Sequence, residues 1–392
     1  MVLRWVNTLR RRMPLGWKQL KHDRTRLLAA IAGIAFADIL IFMQLGFQDA
    51  LYKANTQYPR RLNADVVLLS AQANNLNQLF TFPRRRLYQA LDVPGVVAAD
   101  PLYVGSVKWR NPQTREKTSI LALGFNPDRP AFDLPEANAQ LDVIKLPDTV
   151  LFDRASRGDY QETIATVEAG SSAPIEVDRH TIRVEGLFAL GASFNDDGAV
   201  MGSEQTFLRL FPRRSAGAVS LGTLQVDPGY DVATVAAALN DYLPDDVVAM
   251  TDAEYVAFEL NYIQTRSAIG FVFGLGTMMG FVVGVVIVYQ VLSTDVNAHL
   301  AEYATFKAMG YRQRYLLGVV LEEALLLSAI GFVPSVGIAL GLYTLTQAAT
   351  ALPIAMPIGR VVVVFVLTVI MCSVSGGIAT RRLQSADPAD IF

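Results

Sequence analysis

The chain has 392 residues, 52% of them hydrophobic and 18% charged, with a formal net charge of −2 and a mean hydropathy of +0.31. That balance is too apolar for an ordinary soluble protein and too charged for one immersed in lipid throughout. A net charge so near zero supplies no basic field, so nucleic acid is not an expected partner.

Residues 1–26 form a basic segment with Arg4, Arg10, Arg11, Arg12, Lys18, Lys21, Arg24 and Arg26 against one acid, Asp23. Val2, Trp5, Val6 and Leu9 opposite the arginines read as an amphipathic helix lying on the cytoplasmic face of a membrane. Residues 27–48 supply the first of four stretches that meet the roughly 20 apolar residues a transmembrane helix needs. The run is too long for a signal-peptide core and no small-x-small cleavage site follows, so it reads as a retained anchor. Asp38 lies near the centre of this span, where an ionisable group costs roughly 2.5–3.5 kcal/mol. It is expected to face protein and hydrogen-bond to Tyr289 or to a serine or threonine, with proton or ion coupling as the alternative.

Past the first span, "GFQDALYKANTQY" (46–58) keeps helical apolar spacing until Pro59 stops it. Residues 49–266 then read as a stalk and an α+β domain outside the membrane. "ADVVLLS" (64–70), "KTSILALGF" (117–125), "DTVLFD" (148–153) and "IEVDRHTIRVEGLFAL" (175–190) have strand composition, the last as a hairpin turning at Asp178–His180. "PRRRLYQALDVPGV" (83–96) and "VATVAAALNDYL" (232–243) read as helices. "TDAE" (251–254) fits a capping box, and no helix breaker follows before Leu292. Asp252–Arg266 would then rise roughly 22 Å above the membrane, so that the first and second spans extend into a stalk. Separate short helices with a hinge near Gly270 are the alternative.

The second span, 267–292, carries Gly270, Gly274, Gly276, Gly280 and Gly284 in two interlocking G-x-x-x-G sets. These permit close helix approach, within the chain or across a dimer. In segment 293–314, Asp295 reads as the cap of a short helix that Glu302–Met309 continue, with Gly310 at C′ and Tyr311 making the following apolar contact. Leu300, Tyr303 and Ala304 line one strip, Phe306 and Met309 lie beside it, and Glu302 and Lys307 flank it. A small aromatic knob with charged edges suits insertion into a groove of another protein. An amphipathic helix lying on lipid is the alternative.

The third span is 315–346, with Glu322 and Glu323 expected to pair with Arg312 and Arg314 at the interface. A short uncharged loop, 347–358, leads to the fourth span, 359–380, and a tail, 381–392, with Arg381 and Arg382. Positive-inside bias places both termini and 293–314 in the cytoplasm and 49–266 outside. The chain lacks G-x-x-x-x-G-K-[ST], H-E-x-x-H and G-x-S-x-G, so neither an ATP-binding loop nor an enzyme active site has support, and the chain reads as a non-catalytic membrane subunit. Cys372 is the lone cysteine, and His22, His180 and His299 are scattered, so no disulfide framework or metal site is expected.

On these stretches the chain resembles FtsX/MacB-type ABC transporter permeases, and within them the DevC branch of cyanobacterial exporters. The resemblance rests on "LLAAIAGIAFADILIFMQLGFQDALY" (27–52), "RRRLYQAL" (84–91), "PLYVGSVKWRNPQT" (101–114), "LALGFNPD" (121–128) and "LFDRASRGDY" (151–160). It continues through "IRVEGLFALGASFNDDG" (182–198), "EYATFKAMGY" (302–311) and "ADPADIF" (386–392). It implies an inner-membrane homodimer with four transmembrane helices per chain and a large α+β periplasmic domain between the first and second. A separate ATPase subunit (DevA-like), binding ATP and magnesium, would dock on Glu302, Tyr303, Phe306, Lys307, Met309 and Gly310. A periplasmic membrane-fusion adaptor (DevB-like) and a TolC-like outer-membrane duct would complete a tripartite exporter. ATP-driven closure would move the coupling segment and, through the stalk, the periplasmic domain, with glycolipid or other envelope material as cargo. An FtsX-like signalling scaffold that activates a periplasmic hydrolase and a lipoprotein-release permease are the competing functions.

Overall fold

The computed structural model describes residues 24–380, apart from 77, 178–179, 194, 267, 301, 304 and 306–308. The basic N-terminal segment through residue 23 and the tail 381–392 lie outside the described residues. Along the chain run α1 (Arg24–Thr56), β1 (Val66–Ser70), β2 (Phe82–Pro83), α2 (Arg85–Ala90), β3 (Val96–Arg110), β4 (Lys117–Phe125) and β5 (Thr149–Asp153). Then come α3 (Gln161–Glu168), β6 (Ala173–Val177), β7 (His180–Phe188), β8 (Ala199–Ser203), α4 (Glu204–Leu210), β9 (Ala218–Val219) and β10 (Leu221–Val226). The chain continues through α5 (Val232–Tyr242), β11 (Val247–Thr251), α6 (Asp252–Asn261), α7 (Ala268–Ala298), α8 (Gln313–Thr350) and α9 (Ile358–Ala379). These elements fall into two compact units. One is drawn from Met1–Asp49, Phe271–Thr346 and Ile354–Phe392, and the other from Ala50–Gly270 with Gln347–Pro353.

The second unit is built on a mixed sheet in the order β11-β1-β10-β3-β4-β8-β5-β7-β6, with β2 and β9 as a separate pair. Strands β1 and β5 are buried along their whole length and read as continuous apolar runs because both faces are covered. Val66 and Leu68 of β1 belong to one core and Val67 and Leu69 to the other, and β4 alternates likewise, Ile120 and Ala122 against Leu121 and Leu123. Leu87 of α2, Phe207 of α4 and Leu239 of α5 fill the first core, where Trp109 stacks on Phe152 and Phe152 meets Tyr160. Tyr58 and Tyr255 of α6 fill the second. The expected pairing is present: β6 and β7 run antiparallel with Val177 opposite His180, while 178–179, where the sequence puts the turn, lie outside the described residues. Helix α2 is shorter than its sequence pattern: it ends at Ala90, and Pro94 and Gly95, the latter at φ +96, then turn the chain into β3.

Thr251 and Glu254 form the capping box, each side chain bonded to the other's backbone N–H. The helix that follows is not unbroken. It widens into a π-helical turn at Tyr262–Arg266 before α7 begins. Gly270 belongs to this distortion, since a Cβ there would lie 2.7 Å from the carbonyl oxygen of Gln264.

In the first unit, α1, α7, α8 and α9 are each long and apolar enough to cross a membrane. Their shared core holds Ile34 and Ala37 of α1, Val288 and Leu292 of α7, Leu327 of α8 and Met371 and Cys372 of α9.

Candidate functional site

The segment between α7 and α8 stays helical past α7: His299 N–H donates to Asp295 O, Tyr303 N–H to His299 O and Met309 N–H to Thr305 O, at 3.0–3.1 Å. Gly310 then takes φ +88, the left-handed C′ conformation its position called for. Tyr311 follows with its ring 4.9 Å from that of Tyr315. Glu302 and Gly310 are exposed and Met309 is 60% exposed. Tyr303 points the other way: it is 3% exposed and packs with Val296 and Val320, with Leu300 and Tyr315 against them. Seven residues separate Val296 from Tyr303, which puts both on one helical face, so Tyr303 anchors the segment. Phe306 and Lys307 lie outside the described residues.

Charge holds the base of this segment. Asp295 is buried inside α7 and accepts a hydrogen bond from Arg26 Nη1 at 3.1 Å, with His299 Nδ1 at 3.7 Å. It therefore ties α7 to α1 and caps no helix, since α7 carries its turn onward. Glu323 is buried in the same place, its charged neighbours Asp295 and Arg26 rather than Arg312, which is exposed. The Asp295 and Glu323 carboxyls lie side by side there.

Asp38 is fully buried and accepts hydrogen bonds from Thr368 Oγ1 at 2.7 Å and Ser335 Oγ at 3.2 Å. The carboxylate thus joins α1, α8 and α9 through hydroxyls, while Tyr289 packs in the apolar core. The α7 glycines divide by what they face. A Cβ at Gly276 would meet Gln44 at 2.5 Å, at Gly280 Ile41 at 3.2 Å, and at Gly284 Met371 at 2.1 Å and Ala37 at 2.8 Å. Within one chain that row seats α1 and, at Gly284, also Met371 of α9. Gly274 has nothing within 4 Å. Gly284→Ala is expected to cost about 1–3 kcal/mol by overpacking, while Gly274→Ala stays within about 0.5 kcal/mol of wild type. Thermal unfolding in detergent compares the two, and equal losses would refute the division.

Sequence reasoning passed over the charged junction made by Arg360. Its side chain is 7% exposed and pairs with Asp49, while Nη1 donates to Ala355 O at 2.7 Å and to Tyr343 Oη at 3.2 Å. Tyr343 Oη in turn donates to Phe42 O. Gly46 makes room for this ring, since a Cβ there would lie 2.4 Å from the Tyr343 hydroxyl. The one available signal was an arginine inside an otherwise uncharged stretch. In the other unit, Glu259 of α6 was missed too. It is buried, and desolvation pushes its carboxyl up to about 8, with the nearby Leu76 N–H and Tyr255 hydroxyl pulling the other way. Among the described residues no group of three or more His, Cys, Asp or Glu is placed to hold a metal ion.

Residues 267–388 match the FtsX-like permease C-terminal family. Two curated relatives are the ABC transporter permeases MT0078 and Rv0072 of Mycobacterium tuberculosis, strains CDC 1551 / Oshkosh and H37Rv. Each is 24% identical over 319 residues, which is 79% of this chain and 79% of the relative. Among solved structures, the periplasmic region of MacB from Actinobacillus actinomycetemcomitans aligns at 10% identity and TM-score 0.33, over 49% of this chain and 91% of that one. The extracellular domain of the noncanonic ABC-type transporter YknZ from Gram-positive bacteria aligns at 13% identity and TM-score 0.32, over 48% of this chain and 100% of that one.

Proposed function

We infer that this ABC transporter permease, of the FtsX/MacB type, passes the work of a separate ATPase subunit from one side of the membrane to the other. The observation that carries the reading is the segment between α7 and α8. It holds one aromatic inward, Tyr303, and turns Glu302, Met309 and Gly310 outward at a left-handed glycine turn. Such a short helix with an exposed end is suited to a groove on a partner, with Phe306 and Lys307 completing its sequence. The partner binds ATP and magnesium, and this chain contributes motion and no catalysis.

In this reading the chain lies in the inner membrane with both termini and the 302–310 segment in the cytoplasm. The Ala50–Gly270 domain lies in the periplasm. Two copies work together with a membrane-fusion adaptor and a TolC-like duct, and the cargo is glycolipid or other envelope material. Support for transmission comes from α1, one uninterrupted helix from Arg24 to Thr56, and from the ion pair that fastens its first turn to Asp295.

Capture of the tagged full chain from its native membranes, followed by identification of what accompanies it, tests this. An ATPase subunit and a membrane-fusion adaptor are expected. A cell-wall hydrolase or its activator in place of the adaptor would transfer the assignment to signalling, and the absence of any ATPase would overturn the reading.

A further inference from the structure

Among the described residues of the Ala50–Gly270 unit, a cavity of about 310 Å³ is lined by Lys53, Gln57, Arg60, Arg61, Ala189, Leu190 and Pro353. Three of these are exposed cations and none is a carboxylate. Asp153, the acid behind the Leu190 wall, is buried with its oxygens turned into the backbone N–H groups of Ala155, Leu190 and Gly191 at 2.7–3.0 Å. Its charge is satisfied away from the cavity. Arg60 is shared with Thr56 Oγ1 at 3.3 Å and with Asp252, which its charge acts on. The wall itself is fixed. Gln57 Nε2 donates to Gly191 O and Ala192 O, and Tyr58 Oη donates to Gly191 O, at 2.7–3.2 Å.

A cationic pocket of this size with one apolar side takes an anion that carries an apolar body. Its place along the chain selects among such anions. Lys53 lies six residues beyond Phe47, the end of the apolar run, on the same unbroken helix α1, which is about 9 Å of rise. The headgroup layer of a bilayer is roughly 5–8 Å deep on each side of the hydrocarbon, so the Lys53 ammonium is within its reach. Pro353 belongs to the connector between α8 and α9, two helices apolar enough to cross a membrane.

We propose that Lys53, Arg60 and Arg61 bind the phosphate of an anionic lipid headgroup, with Ala189, Leu190 and Pro353 against its glycerol and first methylenes. The site requires only that α1 and α9 span a bilayer, and it stands or falls independently of the ATPase assignment.

The test titrates dioctanoyl phosphatidylglycerol into the full chain in detergent, with binding read by native mass spectrometry. Dioctanoyl phosphatidylcholine and inorganic phosphate serve as comparison probes. Phosphatidylglycerol is expected to bind more tightly than phosphatidylcholine. The variant K53Q/R60Q/R61Q should lose roughly 100-fold, at roughly fivefold per cation near an anionic headgroup. K53R/R60K/R61K, which keeps the charge, should bind within about threefold of wild type. If the neutral triple variant fails to fold, Arg61→Gln alone is expected to weaken binding roughly fivefold. Equal binding of the two lipids, or undiminished binding by the neutral variants, would overturn the proposal. Displacement of the lipid by millimolar inorganic phosphate would also overturn it, by making the site one for a free anion.

Discussion

Arg360→Ala is expected to cost about 3 kcal/mol of stability, the lower end of the range for breaking a buried ion pair, because Asp49 on the other side is partly exposed. The guanidinium is 7% exposed and holds three groups at once: the Asp49 carboxylate, the Ala355 carbonyl and the Tyr343 hydroxyl. Removing it takes the guanidinium away from Asp49 and frees the Tyr343 ring, whose hydroxyl also bonds Phe42 O across to α1. Asp49→Asn leaves the buried cation with its two neutral acceptors and is expected to cost less, about 1–2 kcal/mol. Because the two residues act on one another, Asp49→Asn combined with Arg360→Ala should fall short of the summed single losses by about 1 kcal/mol or more. Thermal unfolding of the full chain in detergent measures all three, and strict additivity would show that the pair contributes nothing as a pair.

The second large effect runs the other way. Glu259 is buried beside Tyr255 with its carboxyl pushed up to about 8, so the folded domain keeps a proton that the unfolded chain releases near its ordinary value of 4.5. Between those two values the folded state binds more protons than the unfolded one. Stability therefore falls as pH rises from 4.5 to 8 and levels off above. At roughly 1.4 kcal/mol per unit the full loss has an upper bound of about 5 kcal/mol. Glu259→Gln keeps an oxygen for the Leu76 N–H and removes the titration. The variant is expected to exceed wild type by about 3 kcal/mol at pH 8 and to match it within about 1 kcal/mol at pH 5. A difference that does not change with pH would mean that the carboxyl does not titrate in this range.

These two sites show where sequence reading stops. Asp38 was legible because a lone carboxylate inside an apolar run has to find hydroxyls, and Ser335 and Thr368 provide them. Thr251 and Gly310 were legible because caps are local: the residues that make them lie within four positions of one another. The Arg360–Asp49 pair joins residues 311 positions apart and Arg26–Asp295 joins residues 269 apart, and neither has a local pattern to announce it. For that reason the sequence alone reads Asp295 as a cap and matches Glu323 to its chain neighbours Arg312 and Arg314. Both turn inward to a partner that only the packing of α1 supplies.

The sheet was half legible for a related reason. Strands β1, β4 and β5 stand out as short apolar runs, as a strand covered on both faces must. β3 was passed over as a strand because Pro101, Gly105 and Lys108 interrupt its fifteen residues, yet it is the strand that pairs with both β4 and β10. In α7, five glycines looked equivalent along the chain. Only the helices packed against them separate Gly276, Gly280 and Gly284, which meet α1 and, at Gly284, α9, from Gly274, which has nothing within 4 Å. Gly270 belongs to the π-helical turn.

The exposed end of the segment between α7 and α8 is proposed to receive an ATPase subunit. The measurement that tests it most directly is ATP hydrolysis by the co-purified assembly in lipid nanodiscs, compared between wild type and Met309→Glu. Met309 is 60% exposed and fills no core, so the substitution leaves the fold intact. The variant is expected to lose about tenfold or more of the ATPase activity bound to the permease, as follows from a charge placed in an apolar contact. ATPase association and turnover equal to wild type would contradict it, and would make the segment a connector between two helices.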